Sequence, residues 1–379
     1  MLSLALALCL AYAALLLVKI VLALRRGAAP DGTAIAPVTT VLQAILGGDP
    51  ALAAVLERNL LALPQCRFLW LLDTDDAIGR EVAQRLRERH ATLAIECLVL
   101  PPAPAGHNPK MHKLALAASQ VATPHLVVLD DDTELPAASL AALLAALDEA
   151  DLATGLPCYL DDGRFASRLL AQFVNNNAVL TYLPLLNFWP PPSINGMGYA
   201  LRLDALARMG GFAPLTRQLT DDLAVATQLQ RCGGRIRQST APLFVRTSVR
   251  DLRHYAQLLH RWFLFALLLM QCQTPMLRAS IVLLHGLPPL LLWAALIAAV
   301  CATQPAAPIA LAALLLLRSL GLRLVQRHFT GAPRHALVPS LAAELLQPLH
   351  ALHALLQRRI RWRTRHYRVR ANDDFEPVQ

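Results

Sequence analysis

The sequence predicts an α/β domain with a mainly parallel sheet, set between an N-terminal transmembrane helix and further membrane helices near the C-terminus. Three observations carry that prediction. Short apolar runs alternate with helical patterns across residues 37–247, the signature of βα units. Residues 2–24 are almost wholly apolar, with Lys19 as the only charge. The composition is 55% hydrophobic with a mean hydropathy of +0.43, above what an ordinary soluble domain shows.

The first segment matches the ~20 residues that a spanning helix needs. It is too long for the apolar core of a signal peptide, and no basic stretch precedes it. Arg25 and Arg26 follow it, so the positive-inside rule places the remainder on the cytoplasmic side, with Lys19 able to snorkel the same way. Strand-like runs then fall at 38–45, 67–72, 93–100, 125–129 and 152–156. Helical patterns fall at 49–63, 79–90, 108–121 and 136–147. An amphipathic interface region is expected over 248–277, followed by membrane helices over 278–357. Within these, 279–302 reads as a span kinked at Pro288-Pro289. Residues 309–317 read as a short tilted span or a re-entrant piece, because arginines begin at Arg318. In 337–356 the polar residues Glu344, Gln347, His350 and His353 recur every three positions, so they share one helical face. That stripe can lie on the interface or face the interior of a bundle. The arginine-rich tail places the chain end in the cytoplasm, and that parity fits an interfacial or re-entrant helix better than a third C-terminal span.

The charge of +9 comes with seven arginines between Arg358 and Arg370, directly behind apolar sequence. This placement points to anionic phospholipid and away from nucleic acid. Residues 358–379 read as a basic cytoplasmic tail. The seven cysteines are odd in number, widely spaced and form no Cys-x-x-Cys pair, which excludes a disulfide framework or a zinc site.

Acidic clusters stand where an open α/β sheet binds ligands, beyond the carboxyl ends of strands. Asp130 and Asp132 follow the run Leu126-Val127-Val128-Leu129 as an Asp-x-Asp pair. Carboxylates of this kind hold Mg²⁺ or Mn²⁺, which in turn can bridge a diphosphate. Asp73, Asp75 and Asp76 can accept hydrogen bonds from a base and ribose, or form a solvated loop. Asp221 and Asp222 offer a general base, or a favourably charged helix start. Asn108-Pro109 opens a helix whose N-terminus attracts phosphate, with Lys110 adding a point charge. Asn195-Gly196-Met197-Gly198 is a turn that permits close backbone approach. Arg261 can pair with a diphosphate, and Trp262 suits a membrane interface.

Taken in order along nearly the whole chain, these segments resemble the ceramide glucosyltransferase family of membrane-bound inverting glycosyltransferases. The motifs are Asp73-Thr74-Asp75-Asp76, Asn108-Pro109-Lys110, Asp130-Asp131-Asp132, Thr154-Gly155-Leu156-Pro157, Gly210-Gly211-Phe212, Asp221-Asp222, Arg261-Trp262 and the tail from Trp362 to Arg368. The resemblance implies a glycosyltransferase-A fold, Rossmann-like and nucleotide-sugar-binding. It also implies a UDP-sugar donor, a lipid acceptor and a divalent metal, Mg²⁺ or Mn²⁺. Carried over by position, Asp75 or Asp76 stands at the first family aspartate, Asp130 at the second with Asp132 as metal partner, and Asp222 at the third, the base. Asp73, Asp75, Asp76, Lys110, Asp130, Arg261 and Trp262 are then donor-binding residues, with Asp221 beside the base. One departure is visible: Leu258 stands where the family's Gln/Arg-x-x-Arg-Trp motif begins, and Gln257 lies one residue off. The expected reaction is transfer of a hexose, glucose by family resemblance, to ceramide or a similar lipid. Rival readings are a processive polysaccharide synthase and a non-catalytic lipid-binding scaffold. Ala/Leu richness with abundant Arg suggests a GC-rich bacterium and hence its inner membrane.

Overall fold

The computed structural model describes residues 1–29, 39–362 and 365–378. Position 38 of the expected first strand, and Arg363, Thr364 and Gln379 of the expected tail, lie outside these residues. In chain order, helix α1 (Leu2–Leu24) is followed by β1 (Thr40–Ala44), α2 (Leu52–Ala62), β2 (Arg67–Asp73), α3 (Ala77–Arg89) and β3 (Ile95–Leu100). Next come α4 (Pro109–Ala117), β4 (His125–Leu129), β5 (Thr133–Glu134), α5 (Ala137–Ala146) and β6 (Leu152–Tyr159). Helices α6 (Phe165–Asn177) and α7 (Leu183–Leu185) precede β7 (Gly198–Arg202), α8 (Leu203–Arg208), α9 (Asp221–Arg231) and β8 (Ile236–Val245). The remainder is α10 (Leu252–Gln271), α11 (Pro275–Ile281), α12 (Leu287–Val300), α13 (Ala306–Thr330), α14 (Leu337–Leu356), β9 (Arg359–Trp362), β10 (Arg365–Val369) and β11 (Phe375–Val378).

These elements divide into two units. The sheet unit holds residues 29–162, 190–248 and 358–379, and the helical unit holds the rest. In the sheet unit, eight strands run in the order β3-β2-β1-β4-β7-β6-β8-β5. Strands β3, β2, β1 and β4 are mutually parallel, β7 is reversed, β6 and β8 are parallel to each other, and β5 is reversed again. The expectation of a mainly parallel sheet thus holds with two antiparallel insertions. Each central strand is apolar on both faces, as covered parallel strands must be. Val41, Phe68, Trp70, Val127 and Leu129 pack with α2, α3 and α5. The alternate residues Leu42, Leu69, Leu71, Leu126 and Val128 pack with α4, α8 and α9. Strand order reverses between β1 and β4, which puts the ligand crevice of an open sheet at their carboxyl ends. The tail residues form an antiparallel three-stranded meander, β9-β10-β11, which belongs to the sheet unit.

In the helical unit three segments are long and apolar enough to cross a membrane: Leu2–Leu24, Pro275–Val300 and Ala306–Thr330. Two expectations change here, and one left open is decided. Lys19 does not snorkel: it is buried, and its ammonium donates to the Leu284 carbonyl at 2.6 Å. Pro288, four residues on, carries no N–H for that carbonyl, so Lys19 satisfies it. The proline pair follows a π turn, Val282–Gly286, the wider register that relieves its clash with the preceding turn. The expected short or re-entrant piece is a full 25-residue helix, α13. Arg318 does not end the span, because its guanidinium is buried against Glu344 at 2.6 Å, Ser340 at 2.9 Å and the Tyr12 hydroxyl at 3.2 Å. Of the two readings of the stripe on α14, the inward one holds: Glu344, Gln347 and His350 are buried, and only His353 of the four is exposed.

Candidate active site

Asp73 closes β2 and is buried, with one carboxylate oxygen 3.0 Å from the Lys113 ammonium. Lys113, on the inward face of α4, also donates to the Ile45 carbonyl at the end of β1 at 2.9 Å. This buried pair ties the two strand ends together. Lys113→Met would leave a buried carboxylate unpaired, and such losses cost about 3–5 kcal/mol. The expected result is a clear fall in melting temperature of the full chain in detergent, and an unchanged midpoint would rule out this tie.

Asp76 is the N-cap of α3. Its carboxylate accepts from the Gly79 N–H at 3.0 Å and from the Gly47 N–H at 2.7 Å. A Cβ at Gly47 would lie 2.6 Å from the Gly79 nitrogen, so only glycine lets the β1 loop approach this cap. Asp75, beside it, is exposed. The three aspartates therefore have different surroundings: one ion-paired, one capping, one open to solvent.

Asp130 ends β4, and Asp132 lies two residues on. Thr133 donates its hydroxyl to Asp132 at 3.2 Å and Thr247 does so at 2.5 Å. Burial raises the Asp132 carboxyl above its ordinary range. Burial pushes the Asp130 carboxyl up to about 6 despite the opposing pull of Lys110, with Asp132 and Asp221 adding to the rise. Asp131 turns elsewhere and accepts from the Leu46 N–H at 2.7 Å.

Lys110 connects this corner to the third cluster. The Asn108 side chain caps α4 by accepting from the Lys110 and Met111 N–H groups, and Pro109 occupies the first turn. That start aims the Lys110 ammonium at Asp130 Oδ1 (2.6 Å), Asp221 Oδ2 (2.7 Å) and the Gly196 carbonyl (2.9 Å). Burial would strip its proton, but Asp130 and Asp221 outweigh burial and hold it charged. Asp221 and Asp222 are the first two residues of α9, where the helix dipole favours negative charge. A Cβ at Gly196 would sit 3.3 Å from that of Asp222, so the glycine loop lies directly against the pair. Burial, with Asp221 next to it, pushes the Asp222 carboxyl up to about 7. Burial likewise raises the Tyr199 hydroxyl above its usual value.

The structure thus brings Asp130, Lys110, Asp221, Asp222 and Gly196 together. Asp73 and Asp76 make their bonds within the scaffold. Arg261 and Trp262 lie on α10 of the helical unit. Thr247, Ser248 and Asp49 stand beside Asp132 without any motif to announce them: Ser248 donates to Asp49 at 2.8 Å, next to the Thr247 bond to Asp132. Their only sequence signal is a hydroxyl pair one residue beyond β8 and an acid in the loop after β1.

Among the described residues no three metal-ligating side chains converge. The chemistry of the donor set nonetheless fits a hard cation. Asp130, Asp132, Asp221 and Asp222 are all carboxylates, and Lys110 is the cation that the ion pairs place among them. Mg²⁺ commonly takes one or two carboxylates and fills its remaining positions with phosphate oxygens and water.

A mannosyltransferase from Pyrobaculum calidifontis, solved in complex with GDP-Man and Mn²⁺, is similar in structure: TM-score 0.53, 20% identity, 92% of this chain and 98% of that one covered. No curated protein sequence matches the chain significantly. The shared architecture shows that the chain has the glycosyltransferase-A fold. Within that class the chain belongs to glycosyl transferase family 21, whose sequence profile matches residues 2–375.

Proposed function

We propose that this glycosyltransferase moves a hexose from a UDP-sugar to a hydroxyl of a membrane lipid, with inversion at the anomeric carbon. The carrying observation is Asp222, a carboxyl pushed up to about 7 at the start of α9, in contact with the Gly196 loop. A base poised near neutrality can take the acceptor proton as the new bond forms. Asp221 and Asp130 are joined through Lys110, so the base side and the diphosphate side are held in one register. Asp130 and Asp132 are the residues that would hold Mg²⁺ or Mn²⁺. When bound, such an ion supplies positive charge to the departing diphosphate. The Mn²⁺ and GDP-Man in the similar mannosyltransferase support that assignment. Proton removal on one face of the sugar and departure from the other inverts the configuration. Asp73, Asp75 and Asp76 are proposed for the nucleoside side, and Arg261 with Trp262 for the diphosphate, as the family motif implies.

Three helices fit to cross a membrane support a lipid acceptor, with glucose and ceramide, or a similar lipid, as the first substrates to try. Arg25 and Arg26 behind α1 support a cytoplasmic active site, and the composition supports a bacterial inner membrane. The basic tail would meet anionic phospholipid.

The test is transfer from a panel of radiolabelled UDP-sugars into membrane lipid, with Mg²⁺ or Mn²⁺ and with chelator. Label should enter one discrete lipid band, and chelator should lower the rate at least ~100-fold, a loss consistent with several kcal/mol of charge stabilisation. Label in insoluble polymer would replace the lipid acceptor with a growing glycan, and absence of label from every donor would overturn the enzymatic reading.

A further inference from the structure

Asn372 sits in the turn between β10 and β11, 150 residues and more from the segment it touches. Its side-chain oxygen accepts hydrogen bonds from the backbone N–H and from the hydroxyl of Thr220, both at 2.7 Å. Its side-chain amide donates to Gln218 Oε1 at 3.0 Å. Its backbone carbonyl accepts from the Leu219 N–H at 2.8 Å. Thr220 is the N-cap of α9, yet its side chain makes no capping bond to the helix, because its hydroxyl is directed to Asn372. The two residues after it are Asp221 and Asp222.

The same segment is held independently by Asn108. The Asn108 side-chain amide donates to the carbonyls of Gln218 and Leu219, each at 3.2 Å, and its N–H donates to the Thr216 carbonyl at 2.7 Å. Asn108 also starts α4, which aims Lys110 at Asp221. Residues 216–220 are therefore pinned between two asparagines, one setting the direction of the lysine and the other fixing the backbone ahead of the carboxylates.

We propose that Asn372 is a positioning residue for Asp221 and Asp222, so that the C-terminal meander completes the catalytic centre. The clamp itself stands on the hydrogen bonds above, and its catalytic consequence rests on the base role proposed for Asp222. Without the Asn372 side chain, Thr220 ahead of α9 has one unsatisfied backbone N–H and one free hydroxyl to absorb. A carboxylate displaced by about 1 Å loses on the order of 100-fold in rate.

The experiment uses the full chain in detergent. Asn372→Leu keeps the volume and removes every side-chain bond, whereas Asn372→Asp keeps the oxygen that Thr220 needs. In Asn372→Leu, backbone amides of residues 218–223 should exchange with deuterium at least ~10-fold faster. The kcat for transfer should fall about 10–100-fold, with the donor KM held within about twofold. Asn372→Asp should bring both readouts back to within about threefold of wild type. Thr220→Val, which removes one bond and leaves the backbone N–H, should give a smaller change of the same sign, and it serves if Asn372→Leu does not fold. Unchanged exchange in Asn372→Leu and in Thr220→Val overturns the clamp. Faster exchange with wild-type kcat, or an Asn372→Asp protein as impaired as Asn372→Leu, overturns the positioning role. A wild-type protein that transfers no sugar would sink the proposed function instead, while the exchange rates still decide the clamp.

Discussion

Asp222→Asn should abolish sugar transfer, by at least ~1,000-fold in kcat, while donor binding persists. Asparagine has nearly the same shape but cannot accept the acceptor proton, and general base catalysis contributes about 100–10,000-fold. The wild-type rate should rise with pH and level off above about 7, because only the ionised Asp222 carboxyl can act. The same shift makes a stability prediction of opposite sign. The folded carboxyl titrates near 7 and the unfolded one near 3.8, so the folded state disfavours the charge. That penalty is absent below about 4, grows as pH rises through about 7, and is constant above. Asp222→Asn should therefore be more stable than wild type at pH 8, by about 1–2 kcal/mol, and no more stable at pH 4. Rate against pH and melting midpoints at the two pH values check both halves. Wild-type turnover in Asp222→Asn would remove this residue from the base role.

Lys110→Met should be nearly as damaging to transfer and should destabilise the fold as well. The ammonium is shared by Asp130, Asp221 and the Gly196 carbonyl, so its loss leaves two carboxylates facing each other without a counter-charge. Removing one partner of such a pair costs about 3–5 kcal/mol. With Lys110 present Asp130 already titrates near 6, and without it the carboxyl will hold its proton to higher pH. The stability deficit of the variant should therefore be largest above pH 7 and shrink toward pH 5, where protonation relieves the repulsion. Lys110→Arg retains charge but not the compact three-acceptor geometry, so it should recover stability better than it recovers kcat. A Lys110→Met protein with the wild-type melting midpoint at pH 8 would show that the bridge does not hold this site together.

Much of the fold was legible along the chain. The run Leu126-Val127-Val128-Leu129 followed by Asp130 announced a buried parallel strand with an acid at its ligand end, and the structure has β4 there. Asn108-Pro109 announced a helix start, and α4 begins there with Asn108 as its cap. The same local reasoning went astray inside the membrane helices. Arg318 read as the end of a span because an unpaired arginine belongs at the interface. Its partner Glu344 lies 26 residues on and Tyr12 306 residues back, beyond the reach of any periodicity. Lys19 read as a snorkelling residue for the same reason, its acceptor being 265 residues away.

By itself, then, the sequence determined the strands and helices from β1 to α5 and the first apolar span, and that carboxylates stand at the end of β2, directly after β4 and near the start of α9. Those features follow from periodicity, capping and length, which act over a few residues. Only the tertiary structure decided which carboxylates share Lys110, that Asp76 also takes the Gly47 N–H, and that Asn372 grips the turn ahead of Asp221. Those outcomes depend on charge and hydrogen-bond satisfaction between residues 20 to 154 positions apart, brought together by burial.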